Sequence, residues 1–196
     1  MNMIRRLDME KQDCLKCCLV EFCSPTLASL KTANLFWLTI KDEDDFQKQL
    51  KECHEILEEK GLFTMIMSKR PHKALIYVCR RSALQKDLQQ PGVKDFLSGY
   101  GYQSIDVDET LEILQQKLKS DPQFPHEIGI FLGYPLGDVI GFIENAGQNS
   151  LCSGCWKVYC NECEAMKKFN RFKKCTQVYK RLWSQGRSLA KLTVAA

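Results

Sequence analysis

Apolar positions along the chain recur with a period that switches between helical and extended, and the switches outline a succession of elements. Ile4, Leu7, Leu15, Cys18, Leu19 and Phe22, with charges between them, predict an N-terminal helix over 4–22. Ser24-Pro25 then reads as a cap and first residue of a second short helix over 26–31. The run Leu35-Phe36-Trp37-Leu38-Thr39-Ile40 is aromatic and β-branched enough to be a buried strand. Acids at the start of 42–60, then Phe46, Leu50, Cys53, Ile56 and Leu57 at helical spacing, and Gly61 beyond, predict a well-delimited helix.

Two further strands, 62–68 and 74–80, are separated by Lys69-Arg70-Pro71-His72-Lys73, a length that suits an antiparallel hairpin. Short helices are expected over 82–89, 93–98 and 108–119, punctuated by Pro91-Gly92 and Gly99-Tyr100-Gly101. In 124–147, Pro125 and Pro135 can each open a helix and Gly133 can close the first, so two short helices bend around Gly133-Tyr134-Pro135. A last strand over 156–159 precedes a long amphipathic helix over 161–183, buried through Met166, Phe169, Phe172, Thr176, Tyr179 and Trp183. The pattern describes one α/β domain: a small mixed sheet of about four strands, one antiparallel hairpin among them, covered by helices. Residues 1–31 form an N-terminal helical segment, 33–160 the core, and 161–196 a basic helix and tail.

Composition fits this picture. The 196 residues are 44% hydrophobic and 27% charged, ordinary for a globular protein and enough for one core. The first residues alternate charge with apolar side chains and lack the apolar stretch of an export signal. The longest apolar runs, 33–40 and 128–134, fall far short of the roughly 20 residues that span a bilayer. A cytoplasmic protein without membrane contact is expected. Charge is uneven: nine of the 28 Lys and Arg but only Glu164 of the 24 acids fall in 164–196, leaving 19 basic and 23 acidic residues elsewhere.

Cysteine is the informative residue type. Eleven is an odd number, and without an export signal a disulfide framework is a poor explanation. Cys53 and Cys79 lie inside apolar patterns and read as core. Cys152-Ser-Gly-Cys155 and Cys160-Asn-Glu-Cys163 are two Cys-x-x-Cys pairs four residues apart, a crowding of thiolates that selects zinc or an iron–sulfur cluster. A tetrahedral site needs sulfurs roughly 3.8 Å apart. An extended 156–159 would instead hold Cys155 and Cys160 roughly 16 Å apart at about 3.3 Å per residue. Either pair can also be completed by Cys14, Cys17, Cys18 or Cys23 through a tertiary contact.

Other constellations compete. Cys160 and Cys163, after a strand and at a helix start, resemble a thiol–disulfide exchange pair, although Glu162 and Glu164 favour the protonated thiols. His126-Glu127 lacks the second histidine of a zinc-protease helix, since position 130 is Ile, and reads as a surface histidine beside a helix-stabilising carboxylate or as part of a pocket. The basic segment 167–191 can follow a nucleic-acid backbone, with Phe172, Tyr179 and Trp183 as stacking candidates, although those aromatics recur at core spacing. Gly129, Gly133, Gly137 and Gly141, four apart, suit close helix packing better than phosphate binding.

Three blocks together resemble a bacterial family of unknown function, frequent in clostridia and related anaerobes: Cys23-Ser-Pro-Thr-Leu-Ala-Ser-Leu-Lys31, the Phe-Pro-His-Glu-Ile-Gly-Ile-Phe-Leu-Gly-Tyr-Pro stretch within 124–147, and Cys155-Trp-Lys-Val-Tyr159 leading to a basic helix with Cys175. The resemblance covers nearly the whole chain and implies an intracellular protein of an anaerobe with no established activity. It keeps His126, Glu127, Cys23 and Cys175 among the candidate site residues. The family commonly has Gly and acids after Trp-Lys-Val-Tyr, so Cys160 and Cys163 set this chain apart and make a four-cysteine site its own elaboration. The expected function is a non-enzymatic metal-binding accessory protein of anaerobic metabolism, holding zinc or an iron–sulfur cluster through Cys152, Cys155, Cys160 and Cys163 and serving a protein partner. A thiol–disulfide protein and a nucleic-acid-binding module are the alternatives.

Overall fold

The computed structural model of the chain describes residues 14–120 and 124–195. The expected helix over 4–22 lies outside them up to residue 13. Its remainder is α1, Leu15–Leu27, which runs through Ser24 and Pro25 without the break expected there. Pro25 falls in the last turn, where its missing N–H forfeits a single bond. Ser24 does not cap a new helix; its Oγ donates back to the Val20 carbonyl. Past Ala28 the chain closes with Ser29 at φ 58, its N–H on Thr26 O and the Leu30 N–H on Pro25 O, the αL termination more often made by glycine.

Strand β1, Ala33–Thr39, leads to α2, Glu43–Glu58, capped by Asp42, whose carboxylate accepts the Asp45 N–H at 2.7 Å. Gly61, at φ 75, turns the chain into β2, Leu62–Arg70, and His72, at φ 59, turns it again into β3, Lys73–Arg80. The sheet order is β1-β3-β2, antiparallel throughout, with Phe36 and Ile66 both opposite Ile76. Because β3 is central, its side chains are buried on both faces. Ala74, Ile76 and Val78 meet α1 and α2 in one core.

On the opposite face, Leu75, Tyr77 and Cys79 meet a second helical layer. It is formed by α3 (Arg81–Leu88), α4 (Val93–Ser98), α5 (Val107–Ser120), α6 (Ile128–Phe131) and α7 (Leu136–Glu144). The α/β class and single domain stand, with a three-layer arrangement. The strand expected over 156–159 does not join the main sheet. Its centre is β5, Lys157–Val158, paired with β4, Cys152–Ser153, in a separate two-stranded ladder.

The chain ends in α8, Glu162–Ser184, which packs along α1, and α9, Leu189–Leu192, which the sequence pattern did not reveal. Arg80 ties the ends of the fold together. Buried to 2% exposure, it donates from Nε to Thr26 O at 2.6 Å and from Nη2 to Leu27 O at 2.8 Å and Val194 O at 2.6 Å. A cation on the orphan carbonyls of a helix C-terminus is favoured by the helix dipole as well as by the bonds themselves.

Candidate thiol site at the hairpin and helix junction

The β4–β5 hairpin is held by three contacts with the body. Trp156 stacks on Tyr134 with ring centroids 4.9 Å apart and meets Phe169 of α8 edge-on at 4.6 Å. Val158 is fully buried beside them. Gly141 of α7 lets Tyr159 approach so closely that a Cβ there would lie 2.5 Å from the Tyr159 Cβ. The four-residue glycine spacing thus serves packing, as at Gly129, where a Cβ would meet Val139 at 2.7 Å.

The third contact is Asp138, a 3% exposed carboxylate in the first turn of α7. Its Oδ2 accepts the Trp156 indole N–H at 2.8 Å, and its Oδ1 accepts the Tyr159 N–H at 2.7 Å, the Cys160 N–H at 3.0 Å and the Cys160 thiol at 2.9 Å. Burial alone pushes this carboxyl up, but the hydrogen bonds, led by the Cys160 thiol, outweigh it and hold Asp138 below its usual range. Sequence reasoning passed over Asp138. Its sign in the chain was an acid inside an otherwise apolar helix, Leu136-Gly-Asp-Val-Ile-Gly-Phe-Ile143.

The ladder register decides which cysteines share a neighbourhood. Cys152 pairs with Val158, so it lies at the open end of the hairpin, where the chain bends through Tyr159 and Cys160 into α8, and it packs against the cluster that holds Ala165 and Phe169 of α8. Its thiol is pushed up by burial and by the nearby carboxylate of Glu162, the first residue of α8. Cys160 is pushed up by burial and by Asp138. Cys163 is exposed in the first turn of α8. Cys155 sits in the hairpin turn at the other end, where its carbonyl accepts the Tyr134 hydroxyl at 3.3 Å.

The structure therefore places Cys160 and Cys163 at the start of α8, with Cys152 near Glu162 of its first turn, while Cys152 and Cys155 both pack against the cluster of Trp156, Val158, Ala165, Phe169 and Phe172. Among the described residues, no three His, Cys, Asp or Glu side chains are placed to hold a metal ion as they stand. Access divides the cysteines: Cys160 and Cys163 are exposed, Cys14, Cys17, Cys152 and Cys155 half-buried, and Cys18, Cys23, Cys53, Cys79 and Cys175 buried. None of the eleven cysteines is half of a disulfide.

The remaining candidates scatter. Cys23 is fully buried, and burial pushes its thiol far up. Cys175, pushed up to about 11, donates to Ser24 O at 3.5 Å and joins α8 to α1. Both are core. His126 is exposed, with its ring edge against Phe142. Glu127 is not a helix-end carboxylate in water: it is 2% exposed, pairs with Lys117 at 2.8 Å and accepts the Tyr102 hydroxyl at 3.3 Å. The Lys117 ammonium also faces the Tyr102 ring at 4.9 Å.

A second polar cluster, unseen in the sequence, lies behind the hairpin turn. Half-buried Lys31 donates to Ala33 O and faces the Tyr134 ring at 5.3 Å. Burial pushes its ammonium down to about 8, against the pull of Cys155, Cys23, Cys79 and Asp87. Beside it Thr32 donates to Asp87, and Gly133, at φ 74, leaves room for both: a Cβ there would lie 2.6 Å from Thr32 Oγ1.

The blocks that meet here, 23–31, 132–138 and 155–175, define a three-layer α/β protein with a thiol-bearing hairpin clamped against it. The chain belongs to the family described as "Protein of unknown function (DUF3793)", matched over residues 19–193. No curated protein and no solved structure matches it.

Proposed function

We propose that the protein is a cytoplasmic, non-enzymatic accessory protein that binds a thiophilic metal, zinc or iron, through Cys152, Cys160 and Cys163, with Cys155 as a fourth ligand when its turn opens toward them. The reading is supported by the ladder register, which pairs Cys152 with Val158, two residues before the second Cys-x-x-Cys pair begins, and by the influence of Glu162 in the first turn of α8 on the Cys152 thiol. The carboxylates around these thiols support it further. Asp138 and Glu162 oppose thiolate formation in the metal-free protein, but the same charges attract a dication, which removes the thiol protons as it binds. Asp138 is saturated by four donors, so it orients Cys160 rather than ligating. Reduced, accessible thiols fit a reducing compartment. No helix of the described residues is long and apolar enough to cross a membrane.

The same carboxylates weigh against an exchanging dithiol. A thiol held protonated at neutral pH attacks a disulfide slowly, and Cys160 is spoken for by Asp138. Anaerobic purification followed by metal analysis and zinc titration with proton-release measurement tests the proposal. One metal per chain is expected, lost in C152S, C160S and C163S but retained in C155S with reduced affinity. A fully reduced protein that takes up no more zinc or ferrous ion than the C152S/C160S/C163S triple variant overturns it.

A further inference from the structure

The outward face of α8 carries a second feature, independent of the thiols. Ala165, Phe169, Phe172 and Cys175 are buried, and Tyr179, Leu182 and Trp183 pack on the core. Opposite them, Lys167, Arg171, Lys174 and Arg181 recur at helical spacing along one stripe, all exposed. At 1.5 Å per residue the stripe is about 21 Å long. Past its end, Gln185, Gly186, Arg187, Ser188 and Lys191 line a shallow depression of about 260 Å³, which adds two cations beyond the helix.

Acids do not neutralise this face. Within α8 only Glu162 and Glu164 are acidic, both in the first turn, and Glu164 pairs with Lys167 at 2.7 Å. Across the α1 boundary, Glu21 takes Lys180, which is off the stripe. Arg171, Lys174, Arg181, Arg187 and Lys191 form no ion pair with any described residue. Side chains between them are polar, Asn170 and Gln177, with Val178 half-buried at the one vacant turn.

We propose that this face binds the phosphodiester backbone of nucleic acid, with Lys167, Arg171, Lys174, Arg181, Arg187 and Lys191 on successive phosphates and no reading of bases. Four cations over about 21 Å, continued by Arg187 and Lys191, form the kind of row that a polyanionic backbone can follow. Recognition by an acidic protein would call for large aromatic or apolar anchors at the centre of the patch, and the stripe offers only the half-buried Val178 there. The aromatics considered for stacking, Phe172, Tyr179 and Trp183, are turned into the fold. Binding is therefore through charge, insensitive to sequence and steep in salt.

The test is fluorescence anisotropy with a labelled 20-base-pair duplex, a single-stranded RNA of equal length, and poly-glutamate, in chelator so that no metal contributes. With about six phosphates engaged, log K against log salt falls with a slope of about −5.4 for a duplex. The R171Q/K174Q/R181Q variant, with exposed positions and an unchanged far-UV spectrum, flattens that slope by about 2.7 and weakens binding at least tenfold at 100 mM salt. Whichever of DNA and RNA binds more tightly names the source of the backbone. Failure to retain either at 50 mM salt, equal affinity for poly-glutamate, or an unchanged slope in the triple variant overturns the proposal. None of these outcomes bears on zinc uptake.

Discussion

Replacing Asp138 is the sharpest perturbation available, because one carboxylate serves four donors from the hairpin and its exit. D138A leaves the buried Trp156 indole N–H without an acceptor and strips the partly exposed Tyr159 and Cys160 N–H groups and the Cys160 thiol of theirs. Hydrogen bonds to a charged group contribute about 1.5–3 kcal/mol each, and water can recover much of the loss at the two exposed-side amides. The net loss is about 3–5 kcal/mol, and for a domain of this size it lowers the melting temperature by about 10 °C. D138N keeps one carbonyl acceptor and loses about half as much.

Acid dependence follows with a definite sign. A carboxyl held below its usual range when folded contributes fully above about pH 4 and loses that contribution as pH falls through its folded value, so D138N flattens the acid limb below pH 4. Urea unfolding followed by far-UV circular dichroism measures the loss, and amide exchange at Tyr159 and Cys160 localises it. A loss under 1 kcal/mol in D138A, with those amides still protected, refutes the idea that this carboxylate fastens the hairpin.

Three further outcomes are expected. K117M strands the buried Glu127 carboxylate and costs about 3 kcal/mol in urea unfolding, and adding E127L, which removes the stranded charge, recovers most of it. Lys31 is lowered to about 8 in the fold, so the unfolded chain binds the extra proton between pH 8 and about 10.5; the urea midpoint of the protein rises relative to K31M as pH climbs through that window. G141A drives a methyl to 2.5 Å from Tyr159 Cβ, which cannot yield without shifting backbone, and lowers thermal stability by about 1–3 kcal/mol.

Elements with a clear period were legible in the chain. The α2 helix shows Asp42 at its start and Gly61 past its end, and the β2–β3 hairpin shows two apolar runs around Pro71-His72, so local chemistry determined both. Where tertiary contacts overrode local signals, the expectation missed. Pro25 stays inside α1 because its place in the last turn costs only one bond and the αL residue Ser29 closes the helix after it. Trp156 to Tyr159 alternates like a sheet strand, yet its partner is the four-residue-distant Ser153 end of its own hairpin, a pairing that a period of two cannot specify. The site divides the same way: the four cysteines of 152–163 are visible as a motif, whereas Asp138, Lys31 and the Lys117–Glu127 pair owe their chemistry to burial, which a single sequence does not state.

The hairpin's dependence on the body gives the metal proposal a second handle. A ladder of two residues per strand has no stability of its own, so the position of Cys152 beside α8 is imposed by Trp156 on Tyr134 and by Asp138 on the exit strand. A ligand that needs Cys152, Cys160 and Cys163 together binds only the clamped form, and its apparent dissociation constant rises in inverse proportion to the clamped fraction. If D138A leaves the junction closed one-tenth of the time, zinc binds about tenfold more weakly, although no ligand has been removed. Accordingly, zinc raises the melting temperature of D138A less than that of the unmodified protein at equal concentration, since part of the binding free energy goes into restoring the clamp. Competition titrations with a chelating dye measure both effects. Equal zinc affinity in D138A and the unmodified protein, with the Tyr159 amide unprotected in the variant, would mean that the thiols bind without the hairpin being fastened.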